Sequence, residues 1–266
     1  QNIAGIHNTA MGYYALYTAT SSDYNTAVGS QALRFSTTGV RNTALGYASL
    51  YQNTVGSHNT GLGFEALYNN VSGSYNTAVG YFAGGDIANT VGTGQNTVLG
   101  YNTGRGITTG TANTIIGANV TGLSATLSNN IIIADGGGNQ RINVGSTGLV
   151  GIGTTTPAYT LDVQAAASRV AIKSQTGTNN AYLDLINTGG RMYVGRESSA
   201  GASLTVGGLA YAGVVNVASA HALQFGTSNT ARLTIASDGD VGVGTSSPFT
   251  RLHVWSGTTA ANTYLE

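Results

Sequence analysis

Carboxylate side chains are the residues of this 266-residue chain best suited to acid–base chemistry. Hydrolysis of a glycosidic bond requires two of them about 5 to 10 Å apart, one with a raised pKa. The acids within the first 140 residues do not recur in register: Asp23, Glu65, Asp86 and Asp135. The second half offers Asp184, Glu197, Asp238 and Asp240. The last two flank Gly239 in a predicted hairpin turn, where Asp is common, so the pattern favours a protein that is not an enzyme.

Nucleophilic, metal and phosphate chemistry also lack a supporting pattern. Ser219 and His221 would share one face of a strand, but no orienting acid accompanies them. The four His residues have no paired spacing and the chain has no Cys. The segment Gly151–Gly153 lacks the Lys-Thr/Ser pair and the helix that complete a phosphate-binding loop. We therefore expect no catalytic residue, no metal and no cofactor.

Side chains suited to binding occur in the second half of the chain. Exposed Arg and Tyr are favoured contact residues, and Arg pairs well with carboxylates. The candidates lie in or beside "GGRMYVGRESSAGAS" and "YAGVVNVASAHALQF" and are Arg191, Tyr193, Arg196, Tyr211 and His221. We expect these residues to contact a receptor. The alternative for each is ordinary strand surface or a subunit interface.

Composition limits the fold class and the partners. Charged residues make up 8% of the chain, with ten basic and ten acidic side chains, against about a quarter in typical globular proteins. Fifteen Tyr and many Val, Ile and Thr favour ordered β structure over disorder despite 40 Gly. No basic patch and no long apolar run is present, so we expect no nucleic acid and no membrane insertion. The chain does not start with Met or a signal peptide, which suggests an internal or processed piece.

An internal repeat provides the elements that position these residues. Asn recurs every seventeen residues, apart from one interval of twenty that predicts a loop insertion in "GGDIANTVG". The Asn residues in register are Asn8, Asn25, Asn42, Asn59, Asn76, Asn96 and Asn113. A Gly follows four residues after each Asn, which predicts positive φ or close backbone approach. Each repeat reads as two short strands that cannot bury a core alone, so we expect the repeats to stack into a β-solenoid.

Stacking at the strand spacing of about 4.8 Å places like residues in columns. We expect the Asn column to form a side-chain ladder. The column of Val28, Leu45 and Leu62 is predicted to form a dry interior seam. An aromatic column, with Leu33 on its side of the coil, is predicted to be a second buried face: Tyr13, Tyr47, Phe64, Tyr81 and Tyr101. It would lie between the chains of a closed homo-oligomer, most economically a trimer, or within the coil's own core.

The residues that precede each Asn form a further column of mixed polar character. Its members are His7, Tyr24, Arg41, His58, Tyr75 and Gln95. Aromatic and Arg side chains are favoured in contacts. The column is therefore either a ligand-binding face or a solvated edge.

The second half contains a different duplication. "GLVGIGTTTPAYTLDV" at 148–163 is answered by "GDVGVGTSSPFTRLHV" at 239–254. Each copy predicts a strand, a tight turn and another strand, and the segments between them alternate as half-buried strands do. The sequence thus predicts an all-β protein with two domains. These are a repeat β-solenoid shaft over 1–146 and a small β-rich distal module over 147–266.

These motifs resemble those of bacteriophage tail fibres and related trimeric fibre proteins. Repeats such as "YNTAVGSQAL" are similar to repeats in such fibres, and "ARLTIASDGDVGVGTSSPFTRLHV" is similar to the segment that often precedes an intramolecular chaperone domain. The "NTAVG" unit is more loosely similar to the head repeats of trimeric autotransporter adhesins, whose coils form a β-roll and have a shorter period. Together these resemblances cover most of the chain.

The resemblance implies an elongated homotrimer in which both the shaft and the distal module are trimeric. The implied role is structural and in host attachment, at the virion tail or otherwise extracellular. The implied partners are further copies of the chain, other virion tail proteins, and a host-surface glycan or outer-membrane component. A bacterial surface adhesin or extracellular filament subunit is an alternative with the same architecture. A glycan depolymerase tailspike is a lesser alternative, because some relatives cleave polysaccharide.

Overall fold

The computed structural model describes residues 5–88, 94–166, 170–175, 178–201, 204–206 and 208–255. These residues form eighteen strands and no helix, which confirms the predicted all-β class. It follows that the described segments include no helix with the length and apolar character of a bilayer span. The chain divides into two compact units, Gln1–Ser168 (unit 1) and Arg169–Glu266 (unit 2). This division lies beyond residue 146, where the repeats end, because the sheet of unit 1 continues past them.

Unit 1 contains one eleven-stranded sheet whose strand order follows the sequence. The first eight strands pair in parallel, and Thr lies beside Thr at each step from the first strand to the seventh. They are β1 (Thr9–Met11), β2 (Thr26–Val28), β3 (Thr43–Leu45), β4 (Thr60–Leu62), β5 (Thr77–Val79), β6 (Thr97–Leu99), β7 (Thr114–Ile116) and β8 (Ile131–Ala134). The repeats therefore form a β-solenoid of about seven coils, as the sequence predicts.

Each coil contains one strand followed by a series of turns, so the prediction of two strands per repeat was wrong. In the first coil φ is 137° at Gly12, 59° at Tyr14 and 49° at Leu16, and the corresponding positions repeat this pattern in most later coils. Recurrent positive φ interrupts the extended backbone that a second strand would need. The turns are instead tied to the next coil by backbone hydrogen bonds, such as Leu16 N–H to the Ala32 carbonyl at 3.1 Å.

The core of unit 1 lies inside the coils. Side chains alternate along a strand, so the Asn side and the residue two positions later face inward. Ala27 and Ala44 are fully buried, whereas Leu45 is 45% and Leu62 39% exposed. The predicted interior seam of Val28, Leu45 and Leu62 is therefore a surface column, because a three-residue strand can bury only one of its two faces.

Leucines from the turn segment complete the core. Leu33 is fully buried and packs in the same cluster as Leu16, Leu50 and Leu67. It belongs to the interior of its own chain, so its predicted place on a face shared with the aromatic column was wrong. Its backbone has a φ of 48°, a conformation that turns the side chain inward and that the hydrophobic pattern did not reveal.

The single longer repeat interval is spanned by an ion pair between coils. Its predicted insertion lies partly outside the described residues, which exclude 89–93. Arg105 donates to both carboxylate oxygens of Asp86, at 2.7 and 3.0 Å, and lies over the Phe82 ring. Burial raises the pKa of Asp86, but hydrogen bonds from Arg105 and the Gly106 N–H more than offset this and hold it below its usual value.

Three further strands extend the sheet of unit 1 at its C-terminal end. They are β9 (Gln140–Val144), antiparallel to β8, then β10 (Val150–Ile152), antiparallel to β9, and β11 (Leu161–Val163), parallel to β10. The loop between β8 and β9 contains Asp135, whose carboxylate accepts hydrogen bonds from Asn139 and Arg141. These bonds lower the pKa of Asp135 to about 2.

Unit 2 contains two small sheets. The first is antiparallel and has three strands, β12 (Ala181–Asn187), β13 (Gly190–Arg196) and β14 (Gly213–Val217). The second has four strands, β15 (Leu223–Thr227), β16 (Thr230–Ile235), β17 (Val241–Val243) and β18 (Leu252–Val254).

The duplicated motif folds in the same way in both units. Strands β16 to β18 repeat the antiparallel and then parallel pairing of β9 to β11. The Val150 N–H bonds the Thr160 carbonyl at 2.9 Å, and the Val241 N–H bonds the Arg251 carbonyl at 3.0 Å. The alternating glycines thus belong to a strand, a tight turn and a strand, as the sequence predicts.

Candidate functional site

The Asn column runs the length of the solenoid as a clamp on the backbone. From Asn8 to Asn130, the Oδ1 of each Asn accepts the backbone N–H of the next, at 2.8 to 3.1 Å. In six of these Asn residues the Nδ2 donates to a carbonyl fourteen residues later, as from Asn25 to Gly39 at 2.9 Å. Direct bonds between ladder amides occur in the described chain only at Asn96 to Asn76 and Asn113 to Asn96. The ladder is therefore mainly a set of side-chain to backbone bonds, and its role is structural.

The aromatic column lies on the surface of the solenoid. Consecutive rings of Tyr47, Phe64, Tyr81 and Tyr101 stack with centroids 5.0 to 5.2 Å apart. These rings remain 42% to 55% exposed. The possibility that they form the coil's own core was therefore wrong, and within a single chain they are not a buried face.

An exposed aliphatic column accompanies the rings. Each ring follows two residues after an outward-facing aliphatic side chain, because one Gly separates the two positions. Leu45, Leu62, Leu99 and Ile116 are 39% to 45% exposed. We call these two columns the apolar face.

The column that precedes each Asn also forms a stack on the surface. His7 stacks on Tyr24 at 5.0 Å, Arg41 lies over Tyr24 at 5.7 Å, and His58 stacks on Tyr75 at 4.9 Å. Arg41 Nη1 lies 3.4 Å from His58 Nε2, which joins the two pairs. Tyr24 and Tyr75 are about half exposed, so the column is a stack on the surface of the solenoid.

In unit 2, Tyr193 is not available for contact with a receptor. It is 9% exposed, and its hydroxyl hydrogen-bonds the Leu204 carbonyl and Asn216 Nδ2. Its prediction as a contact residue was wrong, because β13 points this ring toward the core of the unit, beside Val214.

Arg191 and His221 line one surface cavity of about 450 Å³ at the β12–β13 hairpin. Arg191 donates to both carboxylate oxygens of Asp184, each at 2.9 Å from Nε, and these bonds raise the pKa of the guanidinium. His221 Nδ1 lies 2.9 Å from Ser219 Oγ. Among the described residues no carboxylate hydrogen-bonds His221, so the pair has no orienting acid.

Arg196 and Tyr211 line a second cavity, of about 510 Å³. The Arg196 guanidinium lies 5.6 Å from the centroid of the Tyr211 ring, and its Nε donates to the Tyr211 carbonyl at 3.2 Å. Lys173 and Gln175 line the same cavity, although no motif of the sequence marks them. The sequence feature that could have drawn attention to Lys173 is that it is the only lysine in the chain.

The candidate acids of unit 2 are held in structural bonds. Glu197 is 2% exposed and accepts hydrogen bonds from the backbone N–H groups of Leu204 and Thr205, at 3.0 and 2.8 Å. Asp238 Oδ1 accepts the Asp240 N–H at 3.1 Å, in the turn that the sequence predicts. Within the described ranges no three metal-binding side chains come together.

No protein-family model matches the chain, and no curated protein matches its sequence.

Proposed function

We propose that the chain is part of an elongated homotrimeric fibre, of the bacteriophage tail-fibre type, that attaches a virion to a bacterial surface. The observation that carries this proposal is the apolar face, whose two columns contain no charged side chain and whose rings stack from Tyr47 to Tyr101. Contiguous exposed apolar surface often marks protein–protein contact.

The partner best matched to this face is another copy of the chain. Its rings recur at 5.0 to 5.2 Å, the spacing of the coils themselves. A second solenoid in the same register repeats this spacing at every step, whereas an unrelated surface would match only locally. In a closed trimer the apolar face of each chain packs against the other two copies, so no apolar face stays exposed to solvent.

The solenoid of unit 1 also suits a fibre. Seven coils at the strand spacing of about 4.8 Å give a rod of roughly 34 Å from this chain. Solenoids of this kind extend by adding coils, since each coil contacts only its neighbours. The further partners would be other virion tail proteins and a glycan or outer-membrane component of the host.

The oligomeric state tests the assembly. Sedimentation equilibrium should give three copies per particle, and Phe64→Glu should yield monomers because it places charge in the centre of the apolar face. The matched control is Tyr75→Glu, an exposed ring in the other stack, which should remain a trimer. A monomeric wild-type chain, or equal dissociation of both variants, would contradict the assembly.

Attachment is tested with fluorescently labelled trimer on a panel of bacterial strains. We expect binding to some strains, competed by their isolated surface glycan or outer-membrane fraction. Sequence flanking the chain distinguishes a tail-attachment region from the cell anchor of a bacterial adhesin. Binding to no strain in a broad panel would count against host attachment.

We also expect no glycan cleavage, because Asp184 and Glu197 are engaged in structural bonds. The assay is the release of reducing ends from the surface polysaccharide of a strain that binds. Release that is abolished by Glu197→Gln in a folded variant would show the protein to be a depolymerase.

A further inference from the structure

The cavity lined by Lys173, Arg196 and Tyr211 combines two cations with an exposed ring. Arg196 lies at the end of β13, where its Nε bond to the Tyr211 carbonyl fixes the plane of the guanidinium. The volume of this cavity, about 510 Å³, lies in the range of small-molecule binding sites.

Neither cation has an anionic partner among the residues that the structure describes. Among the described residues, Lys173 Nζ and the terminal nitrogens of Arg196 make no hydrogen bond or ion pair, while Arg191 and Arg251 are paired with acids. A guanidinium with both terminal nitrogens available can hold a carboxylate through two parallel hydrogen bonds.

The acid in the cavity wall is engaged by hydrogen bonds from the loop that follows β13. Glu197 lines the cavity, but its carboxylate is buried and accepts hydrogen bonds from the Leu204 N–H and from the N–H and hydroxyl of Thr205. Backbone N–H groups thus hold this charge within the loop that follows β13.

Tyr211 is the second, independent feature. Its φ is 59°, and it is the only aromatic residue with positive φ in the described part of unit 2. This conformation is unfavourable for a bulky residue. The Tyr211 N–H bonds the Ser198 carbonyl at 3.1 Å, and the ring stays 50% exposed beside Arg196. An exposed ring next to a cation suits a ligand with an apolar face and an acidic group.

We propose that this cavity binds the carboxylate-bearing sugar of an acidic glycan, such as a uronic acid. The Arg196 terminal nitrogens and Lys173 hold the carboxylate, and the Tyr211 ring packs against the C–H face of the pyranose. This site rests on the proposed attachment function, to which it adds the substrate class and the residues.

The sole lysine gives a direct probe of occupancy in the full chain. Acetylation of Lys173 by an amine-reactive ester is followed by mass spectrometry. An oligosaccharide of alternating glucuronic acid and N-acetylglucosamine should slow it, whereas the carboxyl-reduced oligosaccharide should not. Acetate at the same concentration tests whether a carboxylate without a sugar is sufficient.

Variants separate the site from general charge. The affinity for the acidic oligosaccharide, measured by calorimetry, should fall at least about tenfold in Arg196→Gln, because a charged bidentate contact is lost. Arg232→Gln removes the same charge from β16, outside the cavity, and should leave the affinity unchanged. Tyr211→Asn keeps a residue that tolerates positive φ and should weaken binding of the oligosaccharide. Each variant is compared with wild type by thermal unfolding.

The acetylation assay overturns the proposal if neither oligosaccharide slows the reaction, if both slow it equally, or if acetate protects Lys173 as well as the sugar does. The affinity measurement overturns it if Arg232→Gln and Arg196→Gln weaken binding equally. Failure of this proposal is distinguishable from failure of the attachment function. Trimers that bind bacteria without binding the acidic oligosaccharide would remove only this site. Binding of the oligosaccharide by a chain that attaches to no strain would remove only the attachment function.

Discussion

Replacing Asn25 by Ala is the most direct test of how the solenoid is held together. Asn25 is fully buried, its Oδ1 accepts the Asn42 N–H at 2.8 Å, and its Nδ2 donates to the Gly39 carbonyl at 2.9 Å. The Ala side chain makes neither bond. Asn42 and Gly39 are also buried, so the variant leaves one backbone donor and one acceptor without a partner.

The expected cost follows from these two groups. A buried polar group left without a partner costs about 1 to 3 kcal/mol, so the variant should lose about 2 to 6 kcal/mol of unfolding free energy. A typical domain has only about 5 to 15 kcal/mol in total. The loss should appear first as local opening of this coil, because each coil contacts only its neighbours.

Urea unfolding and amide hydrogen exchange measure the two parts of this prediction. We expect a lower unfolding midpoint and a loss of protection at the Asn42 amide. The control is Thr38→Ala, an exposed position in the same coil that should change the free energy by no more than about 0.5 kcal/mol. The reasoning fails if Asn25→Ala is no less stable than this control, or if the Asn42 amide stays protected.

The remaining predictions concern backbone contact and pH. Gly46→Ala should prevent soluble expression or cost more than about 3 kcal/mol, because its Cβ would lie 2.4 Å from a carbonyl oxygen of the next coil and its φ is 130°. Gly136→Ala is the control and should leave the thermal midpoint unchanged, because no atom beyond its chain neighbours lies within 4 Å of the added Cβ. The pKa of Asp135 is lowered to about 2 by hydrogen bonds from Asn139 and Arg141, below the unfolded value of about 3.9. This carboxylate therefore stabilises the fold above about pH 4 and loses that effect as the pH falls toward 2. The difference in thermal midpoint between wild type and Asp135→Asn should vanish over that range, and an NMR titration midpoint near 4 would contradict it.

Much of the fold could be predicted from the sequence, because coils that stack in register require the same residue types at the same positions of each repeat. The seventeen-residue interval between Asn residues sets the coil length, and parallel pairing of identical positions follows from it. The Gly four residues after each Asn has φ between 130° and 139° throughout. At Gly46 even one methyl group would collide with the next coil, so the need for Gly was predictable.

Less of the candidate site could be predicted, because exposure depends on folding across strands. Tyr193 and Arg196 lie on the same strand, yet one is buried and the other lines a cavity. Arg191 and Asp184 become an ion pair only because β12 and β13 place them near each other. The contribution of Lys173 likewise depends on a segment that comes next to Arg196 only in the folded unit.

The sequence by itself determined the all-β class, the coil period, the ladder positions and the duplicated strand–turn–strand motif, since a repeat fixes which residues stack. Only the tertiary structure decided which columns face inward. Hydrophobicity predicted burial for both residues, with Leu45 in an interior seam and Leu33 on a second face. The positive φ at Leu33 turns its side chain into the coil, while strand alternation turns Leu45 out. In a narrow coil, the backbone dihedral angles and the hydrogen bonds of each Asn decide which way a side chain points. The seventeen-residue repeat interval does not encode either of them.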